Sequence, residues 1–138
     1  MSATVLLYTD RPGFGANCSS ALQQAGLETK VSEPEALGDS LGEGQGAILD
    51  AASEAFDEDE LLACVGLARA LSVPAAVVLP EGDAFSPVED VLQELCGGLV
   101  VRGEANLPAL AASLSRRADR QRGGRAIECV NDAADGFG

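Results

Sequence analysis

The feature that most constrains this chain is an alternation, repeated five times, of short apolar runs with longer segments whose apolar residues recur at helical spacing. The short runs predict strands at 3–9, 27–32, 46–50, 74–79 and 98–102. Most are apolar throughout, which is typical of parallel strands covered on both faces. With 138 residues, 46% of them hydrophobic, the chain is long enough to bury a core without a disulfide or a metal. The pattern predicts a doubly wound α/β fold with a five-stranded parallel sheet in the order 2-1-3-4-5.

The segments between the strands predict five helices. The first has an apolar stripe through Phe14, Cys18 and Leu22 and ends at Gly26. The second, at 34–41, is short. The third follows the acidic run 57–60, which suits the N-terminus of a helix. The fourth begins at a Ser86 cap followed by proline, and the fifth runs from about residue 105 with an apolar stripe of Leu107, Leu110, Ala111 and Leu114.

Composition excludes several classes of function. The chain has no histidine, so it has no Ser-His-Asp or Cys-His nucleophile and no histidine-ligated metal. Its net charge of -13 argues against nucleic acid and anionic membranes as partners. The four cysteines lack CxxC spacing and are expected to be buried thiols in a reducing cytoplasm. No apolar run is long enough for a membrane span.

Charged residues follow three of the predicted strands. Asp10 follows the first, Asp50 ends the third and Arg102 ends the fifth. Because parallel strands end at a common edge, where ligands bind in such sheets, we expect these side chains to share one rim. Asp10 and Asp50 are candidates for holding Mg²⁺, and Asp50 for accepting a phosphoryl group. Asp10 could equally be a turn residue before Pro12.

This layout resembles the receiver (CheY-like) domain of bacterial two-component response regulators over residues 3–121. VLLYTDRP resembles the first strand of that family, with Asp10 at the second acid of its acidic pair and Thr9 at the first. The interval from Asp50 to the third helix places Asp50 at the phosphoacceptor. The resemblance implies the flavodoxin-like fold, a cytoplasmic bacterial signalling role and contact with another signalling protein.

Several positions depart from the family. Leu79 stands where a Ser or Thr contacts the phosphoryl group, and Leu99 stands at the aromatic switch position. Arg102 replaces the family's lysine, and Gly103 replaces the proline after it. Arg102 keeps the positive charge and could still contact a phosphate, but a site shaped for a compact ammonium would need to rearrange around its planar fork. We therefore expect a pseudo-receiver that is not an enzyme and needs no cofactor, in which Arg102 pairs with Asp50 in place of an ion.

Two alternatives stay open: a receiver still phosphorylated at Asp50 with Mg²⁺, and a small nucleotide-binding protein with Gly13–Gly15 as its phosphate turn. By resemblance, the partner surface is expected on the fourth helix, fifth strand and fifth helix. Its predicted residues are Val88, Val91, Leu107, Arg116, Arg117 and Arg120.

Residues 1–115 carry 4 basic and 18 acidic residues, whereas 116–138 carry 5 and 4. A basic end on an acidic body suits docking to an acidic protein face or a head-to-tail homodimer. We expect a receiver-like domain at 1–121 and a flexible tail or linker at 122–138.

Overall fold

The computed structural model describes residues 4–53 and 56–117. Its centre is a parallel sheet of five strands in the order β2-β1-β3-β4-β5, which confirms the predicted fold class and strand order. The strands are β1 Thr4–Tyr8, β2 Glu28–Ser32, β3 Gly46–Asp50, β4 Ala75–Leu79 and β5 Val100–Arg102. They coincide with the predicted runs to within two residues at each end.

Four helices with defined bounds connect the strands, and a fifth follows β5. They are α1 Pro12–Gln24, α2 Leu37–Ser40, α3 Glu58–Ala70 and α4 Ser86–Leu95, followed by α5 at 107–117. No helix among the described residues is long and apolar enough to cross a membrane. The expected tail at 122–138 lies outside the described residues.

The core follows the predicted apolar stripes. The middle strands β3 and β4 are buried along their whole length, as strands covered on both faces must be. Helix α5 closes one face with its stripe, where Leu114 is fully buried and lies 3.4 Å from the Cβ position of Gly46. A Cβ at residue 46 would be in ordinary van der Waals contact with Leu114, so α5 packs directly against β3 at this position.

Two local predictions differ from the structure in detail. The short helix predicted at 34–41 forms, but only Leu37–Ser40 is α-helical, between 3-10 turns at Pro34–Ala36 and Leu41–Glu43. The segment is too short and too rich in glycine to propagate a helix by itself. Ser86 is also not the cap of α4: the helix begins at Ser86, and its N-cap is Phe85 in a left-handed conformation.

The acidic run before α3 behaves as predicted. The carboxylate of Asp57 accepts a 2.8 Å hydrogen bond from the backbone N–H of Glu60 and caps the helix. Its acidic neighbours occupy the first turn, where the helix dipole stabilises negative charge. This run is explained by helix formation.

Candidate functional site

Strand register places the candidate site at the carboxyl edge of the sheet. Tyr8 of β1 is opposite Leu49 of β3, so the next residues along the two strands, Thr9 and Asp50, lie side by side. On the other side of β3, Asp50 is opposite Val78 of β4. The middle of this edge therefore holds a carboxylate between a hydroxyl and an apolar side chain.

Asp50 is fully buried, and its carboxylate accepts hydrogen bonds from the chain itself. The Thr9 hydroxyl donates to Oδ2 at 2.7 Å, and the backbone N–H of Ala52 donates to Oδ1 at 3.1 Å. The guanidinium of Arg11 donates from Nε to Oδ2 and from Nη2 to Oδ1, both at 2.7 Å. This two-point pairing is the strongest geometry available to a carboxylate and an arginine.

Arg11 is held in position by its neighbours. Its backbone N–H donates to the Thr9 hydroxyl at 3.0 Å, and its guanidinium carbon lies 4.9 Å from the centre of the Phe14 ring. Arg11 is also the N-cap residue of α1, directly before Pro12. The hydrogen bonds to Asp50 are the largest cause of a raised Arg11 pKa. The Arg11 side chain remains 39% exposed.

The expected Arg102–Asp50 ion pair was wrong. Arg102 turns away from Asp50 and donates from Nη2 and Nε to Glu89 Oε1 of α4, at 2.7 and 3.2 Å. Its Nη1 donates to the backbone carbonyl of Pro80 at 2.9 Å. Arg102 therefore fastens β5 to α4, and Arg11 holds the cationic place beside Asp50.

Sequence reasoning missed Arg11 as a site residue. A signal was present, because Arg11 is one of 4 basic residues in the first 115 and stands at the edge where Asp50 was expected. The resemblance drew attention to the acid position before it and to Arg102, the counterpart of the family's lysine. Arg11 matches neither of these two family positions, because it comes immediately after the acidic pair.

Thr9 stands at an acid position of the family and supplies a hydroxyl donor here. Leu79 is fully buried, and its backbone carbonyl accepts from the Gly103 N–H at 2.9 Å. Gly103 has φ +76, and a Cβ there would lie 2.6 Å from the Glu81 carboxylate, so glycine is required for this turn. Leu99 is a buried core residue.

The residues at this edge do not fit Mg²⁺, the metal that a receiver resemblance implies. Mg²⁺ needs oxygen ligands in octahedral geometry, whereas both Asp50 oxygens already accept from N–H or O–H donors. Asp10 is exposed and lines the cleft beside α1, with Glu33. Within the described residues no three His, Cys, Asp or Glu side chains cluster in a way that could hold a metal ion.

Two clefts flank Arg11. The first, about 490 Å³, lies between α1 and β2 and is lined by Gly15 and by the carboxylates of Asp10 and Glu33. The second, about 330 Å³, lies over the ends of β4 and β5 and is lined by Glu81 and Glu104. Both clefts carry more carboxylates than cations, which disfavours nucleotide phosphates and phosphoryl groups alike.

The predicted partner residues fall into different environments. Val91 of α4 is 47% exposed and Arg116 is exposed, whereas Val88 is half-buried. Leu107 is a core residue and was wrongly predicted to be on the surface. Arg120 lies outside the described residues.

Arg117 is half-buried and acts within the chain. Its guanidinium donates to the backbone carbonyls of Cys96, at 3.1 Å, and Gly97. It therefore contacts the C-terminal end of α4, so the guanidinium of this predicted partner-surface residue is used within the chain.

Comparison with solved structures identifies the fold as that of receiver domains. Full-length FixJ from B. japonicum matches with a TM-score of 0.64 and 18% identity, over 96% of this chain and 68% of that one. The chemotaxis response regulator CheY4 of Vibrio cholerae matches with 0.59 and 18%, over 86% of this chain and 99% of that one. The signal receiver domain of a Luxo repressor protein from Vibrio parahaemolyticus matches with 0.65 and 15%, over 93% and 98%. No protein-family model matches the sequence, and neither does any curated protein.

Proposed function

We propose that this chain is a pseudo-receiver: a bacterial, cytoplasmic signalling domain that binds another signalling protein and does not depend on phosphorylation at Asp50. The signalling role is supported by the receiver fold. The independence from phosphorylation is supported by one observation above all, the two-point pairing of the buried Asp50 carboxylate with Arg11. A carboxylate held in this way is a poor nucleophile, because attack on a phosphoryl donor requires a free oxygen lone pair.

The surroundings of Asp50 support the same proposal. A phosphoryl group on Asp50 would carry about two negative charges in place of the single charge of the carboxylate. The cleft over β4 and β5 already carries Glu81 and Glu104, and Arg102, at the end of β5, is held by Glu89. Leu79 offers a hydrocarbon side chain where a hydroxyl would be needed. Phosphorylation would thus place charge beside carboxylates, and the two described cations at this edge, Arg11 and Arg102, are already paired with Asp50 and Glu89.

The surface proposed for the partner is the outer face of α4 together with the exposed part of α5. Val91 is its exposed apolar centre, flanked by the half-buried Val88, and the exposed Asp90 and Glu94 surround them with negative charge. The Arg102–Glu89 pair and the Arg117 contacts fix α4 against β5 and α5. The face is therefore presented in one arrangement without a switching step.

The experiment is a two-dimensional NMR titration of labelled protein with Mg²⁺ and then beryllofluoride, a phosphoryl mimic, with Asp50→Asn as the control. Unchanged amide shifts around Thr9, Asp50 and Leu79 are the expected result. Saturable shifts that vanish in Asp50→Asn would establish a working acceptor and overturn the proposal.

A binding titration of wild type and Val91→Glu tests the proposed surface on α4 and α5. Val91→Glu is expected to abolish association with a partner, or with a second copy if the chain forms a homodimer. Leu67→Glu is the matched control, since Leu67 is another exposed apolar side chain, on α3. Equal loss of association in both variants would contradict the assignment of the surface to α4.

A further inference from the structure

We infer that Arg11 is the resident cation of the Asp50 site: its guanidinium fills the cation position of the pocket, so the pocket binds a divalent ion only when Arg11 is removed. The inference rests on the proposed function and deepens it, because it states what keeps the site from working as a phosphorylation site. The position of Arg11 carries it: the two N–H donors that face Asp50 are 2.7 Å from different carboxylate oxygens.

The Asp50 carboxylate needs a positively charged partner because it is fully buried. A fully buried carboxylate must be neutralised or paired, since desolvation opposes an isolated charge. The Thr9 hydroxyl and the Ala52 N–H supply hydrogen bonds but no positive charge. Arg102 is engaged by Glu89 and by the Pro80 carbonyl. Within the described chain, Arg11 is therefore the side chain that pairs the Asp50 charge.

The chain holds Arg11 in place before any ligand arrives. The Thr9 hydroxyl accepts from the backbone N–H of Arg11 and donates to Asp50, so one side chain fixes both partners. The Phe14 ring lies against the guanidinium, and contact with an aromatic face stabilises a cation. A preorganised partner loses little entropy on pairing, and a metal ion would have to displace it.

A guanidinium and a metal ion cannot both bind the Asp50 carboxylate. Both require the outward lone pairs of Oδ1 and Oδ2, and the two positive charges would repel each other. Removing Arg11 leaves a buried carboxylate that still accepts from Thr9 and Ala52, and it removes the side chain that lies between Asp50 and the two clefts that Arg11 lines. Such a group needs a new cation, and an oxygen-seeking divalent ion is the class that fits a carboxylate next to open water.

The experiment compares wild type with Arg11→Ala by urea unfolding, with MgCl₂ or with NaCl at matched ionic strength. Arg69→Ala is the control, because Arg69 is exposed and lies on α3. We expect Arg11→Ala to shift the folding equilibrium toward the unfolded state by about tenfold to a hundredfold, less than for a fully buried pair because Arg11 is partly exposed. Mg²⁺ should restore part of that loss saturably, with no effect specific to Mg²⁺ on wild type or Arg69→Ala.

The double variant Arg11→Ala with Asp50→Asn completes the test, because it removes both charges. Its response to Mg²⁺ should disappear, and the two substitutions should be strongly non-additive. Additive effects would show that the pair is not coupled. Equal stabilisation of wild type and Arg11→Ala by Mg²⁺ would show that Arg11 does not occupy the cation position. Either result overturns the inference.

A measurement on the folded wild type covers the case in which Arg11→Ala does not fold. The Arg11 Nε–H proton should exchange slowly with water and give a hydrogen-bonded NMR signal that is lost in Asp50→Asn. An exchange rate equal to that of Arg69 overturns the inference. If the ligand-free wild type gives the Arg11 signal and beryllofluoride still binds, only the proposed function is contradicted. The two failures can therefore be told apart.

Discussion

Thr9 is the residue whose single hydroxyl has most to do at this site. Its Oγ1 donates to Asp50 and accepts from the Arg11 N–H, while the residue itself is buried. Thr9→Val keeps the shape of the side chain and removes both bonds. We expect a loss of about 1–3 kcal/mol in the free energy of unfolding, because one of the bonds is to a charged group. Urea denaturation measures it. The control is Thr29→Val on β2, since Thr29 is half-buried and its hydroxyl has no hydrogen-bond partner within the described residues; a cost in Thr9→Val no greater than in this control would show that the Thr9 hydroxyl is not used.

Two buried thiols set a limit at alkaline pH. Burial raises the pKa of Cys18 to about 12 and that of Cys96 to about 11. The unfolded chain loses these protons near the ordinary thiol value of about 8.5, so above that pH the unfolded state binds fewer protons than the folded one. The stability that the buried thiols contribute is therefore fully present below about pH 8.5 and declines as the pH rises toward the folded pKa values.

Urea unfolding of wild type and Cys18→Ala across this pH range checks the prediction. The variant should be less stable at neutral pH, because a cavity is created, yet its stability should fall less steeply between about pH 8.5 and pH 11. Parallel curves for the two proteins would contradict it. A complementary check is thiol labelling, which should reach Cys18 only on unfolding, since its side chain is buried.

At the scale of elements, Arg117 joins two helices. Its guanidinium donates to the carbonyls of Cys96 and Gly97, which α4 leaves without helical partners at its C-terminus. Arg117→Ala should cost about 1–2 kcal/mol and increase amide exchange at the end of α4. Arg116→Ala is the matched control, because Arg116 is exposed and donates a hydrogen bond to Ser113 of its own helix. A loss in the control equal to that in Arg117→Ala would contradict the role of Arg117.

The elements also show how far the sequence could predict the fold. Strands were predictable because parallel strands buried on both faces leave continuous apolar runs, as in Gly46–Asp50. The stripe of α5 was predictable from its own period, since Leu110 and Leu114 recur at helical spacing and both are buried. The second helix was predictable in position but not in its mixture of α and 3-10 turns, because a segment of this length has its conformation set by packing rather than by its own propensity.

The site was predictable only in part. Asp50 could be placed because its strand and its edge follow from the alternation of elements. Which cation pairs with Asp50 could not, since Arg11 and Arg102 both stand at that edge and only side-chain geometry separates them. Long flexible arginines reach several acceptors, so strand order alone does not assign their partners.

At the scale of the whole molecule, the net charge of -13 is balanced by few ion pairs. In the described residues three pairs are formed: Arg11–Asp50, Arg102–Glu89 and the longer, exposed Lys30–Glu43 pair at 3.8 Å. The other carboxylates mostly repel one another, and this repulsion acts over distances that salt screens. The buried Asp50 pair is screened much less, so added salt should relieve the repulsion more than it weakens the attraction.

We therefore expect the melting temperature to rise when NaCl is added from low ionic strength to physiological strength, where the Debye length is about 8 Å. Tetramethylammonium chloride at the same ionic strength should give the same rise, because screening does not depend on the identity of the cation. Calorimetry measures both. A fall in melting temperature would mean that exposed ion pairs, such as Lys30–Glu43, outweigh the repulsion, and a rise with NaCl alone would indicate a bound sodium ion. A rise common to both salts would show that repulsion between surface carboxylates lowers the stability of the folded chain. A basic partner would relieve the same repulsion on binding.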